Sequence, residues 1–416
     1  MLTLWRSLTP DGRLLFLTRS LRLFAYGFLS VVLALYLAAI GLSDADIGLL
    51  LSLTLLGDTV ISLWITTTAD RRGRRIMLTV GALLMLLAGV LFTLTRQFEW
   101  LLAAAIVGVI SPSGKEVGPF LSIEQAALAQ IVGDERRTEV FAWYNLAGSL
   151  TTALGAFCGG AATQAMEASG AVGAEIYRPV LWGYAVAGGL MVLLFRGLSP
   201  AVEHQASPQA PEVPAVPRSA LGLHRSRRVV MRLSALFALD AFAGGFIIDT
   251  LAALWLDRKF GATPIVIGTI LFWTNLLGGF SGLVAARLAK KFGLVNTMVF
   301  THLPSNVMLI LVPLMPSLWW SAAMLIARSC ISQMDIPTRQ AYTMAVVAPD
   351  ERSAASGVTT VARSLGASLS PQLVGPMLAN PATLGLPFFL AGGIKIVYDL
   401  LLYRSFVRVP ESEATS

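Results

Sequence analysis

A set of ionisable residues lies inside the long apolar runs of this chain. Asp58, Glu116, Asp240 and Asp335 are carboxylates, and Arg22, Lys115, Arg328, Arg339 and Arg363 are cations. Arg19, Glu124, Asp249, Lys395 and Asp399 complete the set. A charged side chain at the centre of a bilayer costs roughly 2.5–3.5 kcal/mol on insertion scales, so each must face protein or water. A carboxylate so placed can load a proton in one state and release it in another, and the four named first are the proton-coupling candidates. Cations so placed can bind an anionic group. Arg22, Lys115, Asp249, Arg328, Arg339 and Arg363, with Tyr26, Asn145 and Asn275, are the candidates for lining a substrate cavity. Acids nearly match cations, which leaves the charge of a ligand open. Each charge also has a structural reading, as half of a buried pair that holds helices together.

Spacing pairs some of these residues. Asp335 and Arg339 are four apart and share a helical face. Pro337 between them predicts a bent or broken helix. Lys395 and Asp399 are also four apart and are expected to brace each other. Lys115 and Glu116 point about 100° apart and need separate partners. Arg22 and Asp240 sit at similar depths in two different runs and are a candidate ion pair. Asp58 lies about twelve residues before Asp70, roughly 18 Å along a helix, which is mid-membrane. Its structural alternative is a pair with Arg22 or with a neighbouring backbone group.

The elements that must position these residues are helices in lipid. Of the 416 residues, 55% are hydrophobic and 13% charged, and mean hydropathy is +0.70. Soluble domains carry about 25% charged residues. The apolar runs are continuous, not alternating, which favours helices over a barrel. Twelve spans are expected near 14–40, 46–69, 76–95, 99–131, 138–162, 179–198, 229–256, 264–286, 294–315, 318–347, 353–378 and 384–407. Pro112 and Pro119 predict a kink in the fourth. Cys158 and Cys330 imply no disulfide framework, and His204, His224 and His302 are too scattered for a metal site. No cofactor is expected. No cleavable signal peptide is expected, since Met1 to Arg13 is too polar to hold its apolar core. The net charge of +7 follows from loop topology, not from nucleic-acid binding.

Loop charge orients the spans. With both termini cytoplasmic, the inner loops and tails carry nineteen Lys/Arg, and the outer loops only Arg96, Arg178, Arg258 and Lys259. Positively charged loops stay on the cytoplasmic side. Residues 199–228 hold prolines at 200, 208, 211, 214 and 217 and read as an extended cytoplasmic linker. They divide the chain into 1–198 and 229–416, six spans each. The halves echo one another. A shift of 220 carries Ala69, Arg71 and Gly73 onto Ala289, Lys291 and Gly293, with Lys290 in place of Asp70. A shift of 216 carries Gly133-Asp-Glu-Arg-Arg onto Pro349-Asp-Glu-Arg-Ser.

The turn between spans two and three is the most specific stretch. Asp70, Arg71, Arg72, Gly73, Arg74 and Arg75 join two apolar runs through a tight cytoplasmic turn in which Gly73 can supply an unusual backbone conformation. Asp70, Arg71, Gly73, Arg74 and Arg75 match the loop signature of the major facilitator superfamily (MFS), and the chain is identified as a member; Thr66 stands where the signature begins with Gly. The resemblance implies an all-α polytopic membrane protein, with twelve transmembrane helices as two pseudo-symmetric six-helix bundles. It implies a substrate site near the midplane between the halves and alternating access, with Asp70–Arg75, Lys290, Lys291 and Gly293 helping to hold the cytoplasmic side closed. The segment Gly155-Ala-Phe-Cys-Gly-Gly resembles the Gly-Pro-x-x-Gly-Gly core of antiporter members, with Ala156 replacing Pro.

The expected function is proton-coupled efflux of a small organic compound by a monomer in the inner membrane, with no ATP motif and no enzyme site. Import of an organic anion with protons is the near alternative. A non-transporting receptor or scaffold with the same fold is the distant one.

Overall fold

A computed structural model describes Trp5 and residues 8–116, 118–203 and 223–406. The proline-rich part of the expected linker, 204–222, lies outside the described residues. Among the described residues the regular structure is helical: α1 Pro10–Ser30, α2 Leu33–Ala39, α3 Asp44–Arg72, α4 Arg74–Leu94, α5 Phe98–Val107, α6 Phe120–Ile131, α7 Asp134–Ala168, α8 Arg178–Arg196, α9 Arg227–Gly245, α10 Asp249–Phe260, α11 Pro264–Phe292, α12 Leu294–Leu311, α13 Leu318–Ser329, α14 Asp335–Ala345, α15 Arg352–Leu369, α16 Pro371–Leu378 and α17 Leu386–Phe406.

Seven segments among the described residues are long and apolar enough to cross a bilayer, and α1 with α2 makes an eighth across a 41° bend. Three of the other expected spans are interrupted. The fourth is not merely kinked but divided between α5 and α6, with the described residues of 108–116 and 118–119 non-helical. The tenth is divided between α13 and α14, and the eleventh between α15 and α16. α7 passes no simple hydropathy test because much of its length is Gly, Ala, Ser and Thr. Its small residues have a packing reason. A Cβ on Gly155 would lie 2.1 Å from the Phe24 carbonyl oxygen, and one on Gly27 would lie 2.1 Å from that of Thr152. α1 and α7 therefore meet backbone to backbone, which is how small residues bind helices in lipid.

The outward faces are apolar. On α8, Trp182, Val186, Leu190 and Leu193 are exposed at helical spacing, while Tyr184, Ala185, Gly188 and Met191 are buried. An exposed apolar stripe of that length suits lipid, not water.

The chain forms two compact units. The first is Met1–His204 with Ile247–Gly279 and Pro371–Leu384, and the second is Gln205–Phe246 with Phe280–Ser370 and Gly385–Ser416. In the first, α1 packs on α7, α4 on α8 and α3 on α16. In the second, α9 packs on α15 and α17, and α12 packs on α13, α14 and α17. The second unit is built on Leu233, Phe237, Val295, Met298, Tyr342, Tyr398 and Leu402.

Two turns carry the repeat into the backbone. Gly73 joins α3 to α4 at φ 102°, and Gly293 joins α11 to α12 at φ 84°. Side chains with a Cβ rarely adopt that region. Each Gly N–H closes back on the alanine four residues before it, Ala69 and Ala289. Arg137 reaches back to the Ala129 carbonyl at 2.9 Å, as Arg352 does to that of Met344 at 3.0 Å.

Candidate functional site

Each unit holds a charged core. In the first, Arg22 of α1 grips Glu124 of α6 with two parallel bonds of 2.8 and 2.7 Å, and its Nε donates to Glu116 at 2.9 Å. Tyr144 of α7 and Thr18 of α1 also donate to Glu124, at 2.6 and 3.1 Å. Arg19 pairs with Glu116 at 3.1 Å, donates to Asn145 at 3.2 Å and lies over the Tyr144 ring. Two arginines thus meet two glutamates, and the Arg22 and Glu124 side chains are fully buried. Such bidentate pairs are strong and directional.

Asp58 of α3 stands apart from this circuit. One carboxylate oxygen accepts the Gly118 N–H at 3.1 Å, just before α6, and the other is buried with no hydrogen-bond partner. No ion pair joins Asp58 to a cation among the described residues, and its expected pairing with Arg22 is absent: Arg22 is taken by the two glutamates. The interruption between α5 and α6 makes this geometry. Its backbone includes Val109 at φ 51°, a conformation that a β-branched residue rarely adopts. Tyr184 donates to the Val109 carbonyl at 3.0 Å and stacks 6.4 Å from Tyr26, whose buried hydroxyl has no hydrogen-bond partner. Lys115 and Glu116 both belong to the interruption; Lys115 is exposed, and its carbonyl accepts the Ser111 hydroxyl at 2.7 Å. Asp249, at the start of α10, accepts from Asn275 of α11 at 3.2 Å.

In the second unit Asp240 of α9 is a hub. Lys395 approaches it at 2.5 Å, Arg363 at 3.1 Å and Arg339 at 3.3 Å, from α17, α15 and α14. Arg339 also pairs with Asp335 at 2.8 Å, as their four-residue spacing predicts. Two expected pairings are corrected here. Asp240 spends its oxygens on these three cations and not on Arg22, which is satisfied inside the first unit. Lys395 pairs with Asp240 and not with Asp399. The Asp399 carboxylate instead meets His302 Nδ1 at 2.8 Å and accepts from Asn306 at 2.9 Å. Arg328 is half-buried in the last turn of α13.

The signature turn is held from below. Asp70 pairs with Arg74 at 3.0 Å, and Arg74 reaches Gln130 at 3.0 Å and the Val202 carbonyl at 3.3 Å. Arg75 donates to the Arg196 carbonyl. Glu203 accepts the N–H groups of Arg74 and Arg75 at 2.6 and 3.3 Å, capping α4 with a carboxylate. Arg71, Lys290 and Lys291 lie in the last turns of α3 and α11.

The sequence reading places Glu124 among the charges of the apolar runs but gives it no role; with Phe120, Ile123, Ala127 and Leu128 it completes the buried stripe of α6. His302 and Asn306 are four apart on an otherwise apolar helix, a usable signal of a shared polar face. Tyr144 gave no signal beyond its aromatic character. Among the described residues no group of three His, Cys, Asp or Glu can hold a metal ion.

Charged cores among helices with apolar outer faces define a polytopic membrane protein. Residues 15–371 match the Major Facilitator Superfamily, and the chain belongs to that family of transporters. It is 30% identical to an uncharacterized membrane protein of Saccharomyces cerevisiae, over 96% of this chain and 94% of that one. It is 29% identical to the quinolone resistance protein NorA of Staphylococcus aureus, but over only 20% of this chain and 22% of that one. Among solved structures it resembles a D-xylose–proton symporter (TM-score 0.74, 15% identity, 97% and 99% of the two chains). It also resembles a bacterial homolog of the human lysosomal transporter Spinster in an inward-facing, unoccupied conformation (TM-score 0.72, 17% identity, 96% and 97%). At those identities the likeness is one of fold. The chain is a multi-pass integral membrane transporter, not an enzyme.

Proposed function

We propose that the protein is a proton-coupled exporter of a small organic compound, with Asp58 as the proton carrier. One observation carries this reading: of the four candidate acids, Asp58 alone has no ion pair among the described residues. Glu116, Asp240 and Asp335 each hold arginines, so protonating them breaks an ion pair. Asp58 can take and lose a proton while every pair stays intact. Its bond to Gly118, between α5 and α6, ties the event to a backbone interruption, a feature that transporters use at binding sites. The export direction rests on the partial antiporter resemblance at 155–160 and on the short similarity to NorA. In this reading 1–198 and 229–416 rock as two halves about the midplane, in a monomer with both termini in the cytoplasm of a cell whose inner membrane it spans.

The convergence of three cations on Asp240 favours a second reading, proton-driven uptake of an organic anion. Protein in pH-clamped liposomes with an internal pH dye separates the two. A compound panel that evokes proton movement against substrate flux supports export, and movement with it supports uptake. Asp58→Asn is expected to abolish proton movement at least tenfold below wild type, with unchanged thermal stability. Wild-type proton movement in that variant removes Asp58 from the mechanism.

A further inference from the structure

α17 places Lys395 and Asp399 one helical turn apart, where opposite charges attract. They do not pair, because both Asp399 oxygens are taken: His302 Nδ1 stands 2.8 Å from one and Asn306 Nδ2 donates to the other at 2.9 Å. Lys395 turns to Asp240 at 2.5 Å. All of these groups are buried: relative exposures are 3% for His302, 0% for Asn306, 1% for Asp399 and 9% for Lys395.

We propose that His302 is a proton-binding switch that decides whether Lys395 pairs with Asp240 or with Asp399. Asn306 Nδ2 also stands 3.3 Å from His302 Nδ1, but it donates to Asp399; with Asp399 ionised and able only to accept, the switch has His302 Nδ1 donating to it at 2.8 Å. With a second proton on Nε2 the ring is a cation, Asp399 is neutralised, and the charge of Lys395 is left for Asp240. When that proton leaves to solvent, Asp399 keeps its hydrogen bonds and loses its counter-charge. The nearest flexible cation is then Lys395. Asp240 can release it because Arg339 and Arg363 remain.

The charged and titratable groups on the helices around His302 fit this exchange. α17 brings Asp399, Lys395 and Tyr398, whose ring stands edge-on 6.1 Å from the imidazole. α14 brings Asp335 and Arg339, which hold each other, and α13 carries Arg328. Asp240 of α9 meets the cluster through Lys395. His302 acts through Lys395 and is a positioning residue for the hub.

The chain has three histidines and five lysines, so selective labelling resolves them. Full-length protein in lipid nanodiscs, labelled with ¹³C at histidine and lysine side chains, is titrated between about pH 5 and 9 by NMR. His302 is identified by elimination with His204→Gln and His224→Gln, and Lys395 by Lys→Arg at the other four lysines, so the cluster itself stays intact. The expected result is that His302 changes protonation in this range and that the Lys395 signal moves with the same midpoint. In Asp399→Asn, checked for folding by its melting temperature, Lys395 stops following His302. A His302 held in one state throughout overturns the proposal, as does a Lys395 signal that stays fixed while His302 titrates.

Discussion

The two charged cores occupy matching places in the repeat with their signs reversed. Arg22 of α1 holds Glu124 of α6, and Asp240 of α9 holds Arg339 of α14. Tyr144 of α7 donates to Glu124 as Arg363 of α15 donates to Asp240. These counterparts lie between 215 and 219 residues apart. What the repeat preserves is a matched pair at a given height on a given pair of helices; which partner is the acid is free, because Coulomb attraction is symmetric. The cores differ in closure. In the first, Glu124 accepts four hydrogen bonds from Arg22, Thr18 and Tyr144, and neither it nor Arg22 is exposed. In the second, three cations share Asp240, and the Arg363 side chain is 32% exposed. Around Glu124 the first is a closed brace. The second includes a partly exposed cation.

That contrast is testable by removing one partner at a time. Glu124→Gln breaks the two-bond grip and leaves Arg22 to Glu116 alone, and is expected to cost about 3 kcal/mol, read as a drop in melting temperature of the purified protein. Asp335→Asn leaves Arg339 on Asp240 and should cost roughly half as much. Equal losses would mean that the second core is as closed as the first. A smaller contrast lies outside the membrane. Glu351 accepts the N–H groups of His224, Arg225 and Ser226, whereas Glu203 accepts two in the first unit. Burial alone would raise the Glu351 carboxyl, but these donors hold it down at about 2. Because its folded value lies below the unfolded one, its contribution is present above about pH 4.3 and is lost as pH falls towards 2. Glu351→Gln is expected to cost about 1–2 kcal/mol at neutral pH and to flatten this acid limb in pH-dependent melting, with Glu203→Gln costing less. Arg363→Gln closes the series at about 1 kcal/mol or below, since the charge is partly solvated and Asp240 keeps two cations. A loss as large as that of Glu124→Gln would make Arg363 part of a brace.

Much of the fold was legible. Continuous apolar runs marked the helices, and Asp70 with Gly73 marked the turn, because both signals are local: period, length and a backbone conformation that favours glycine. The interruption between α5 and α6 was only partly so. Pro112 and Pro119 announced a disturbance, but its extent depends on contacts with other helices, such as the Pro112 carbonyl accepting the Thr250 N–H.

The sequence by itself determined that charges would lie at membrane depth and that each would need a partner, because burying an unpaired charge is costly whatever the fold. It also determined a pair at membrane depth set by helical spacing, Asp335 with Arg339. Only tertiary structure decided the other pairings. Lys395 and Asp399 have the same spacing, yet residues from α9 and α12 separate them; Arg22 is taken by α6 and its approach, where Asp58 meets the Gly118 N–H instead of Arg22. Buried charges choose among every donor and acceptor that packing brings within about 3 Å, and that choice is made by neighbours distant in the chain.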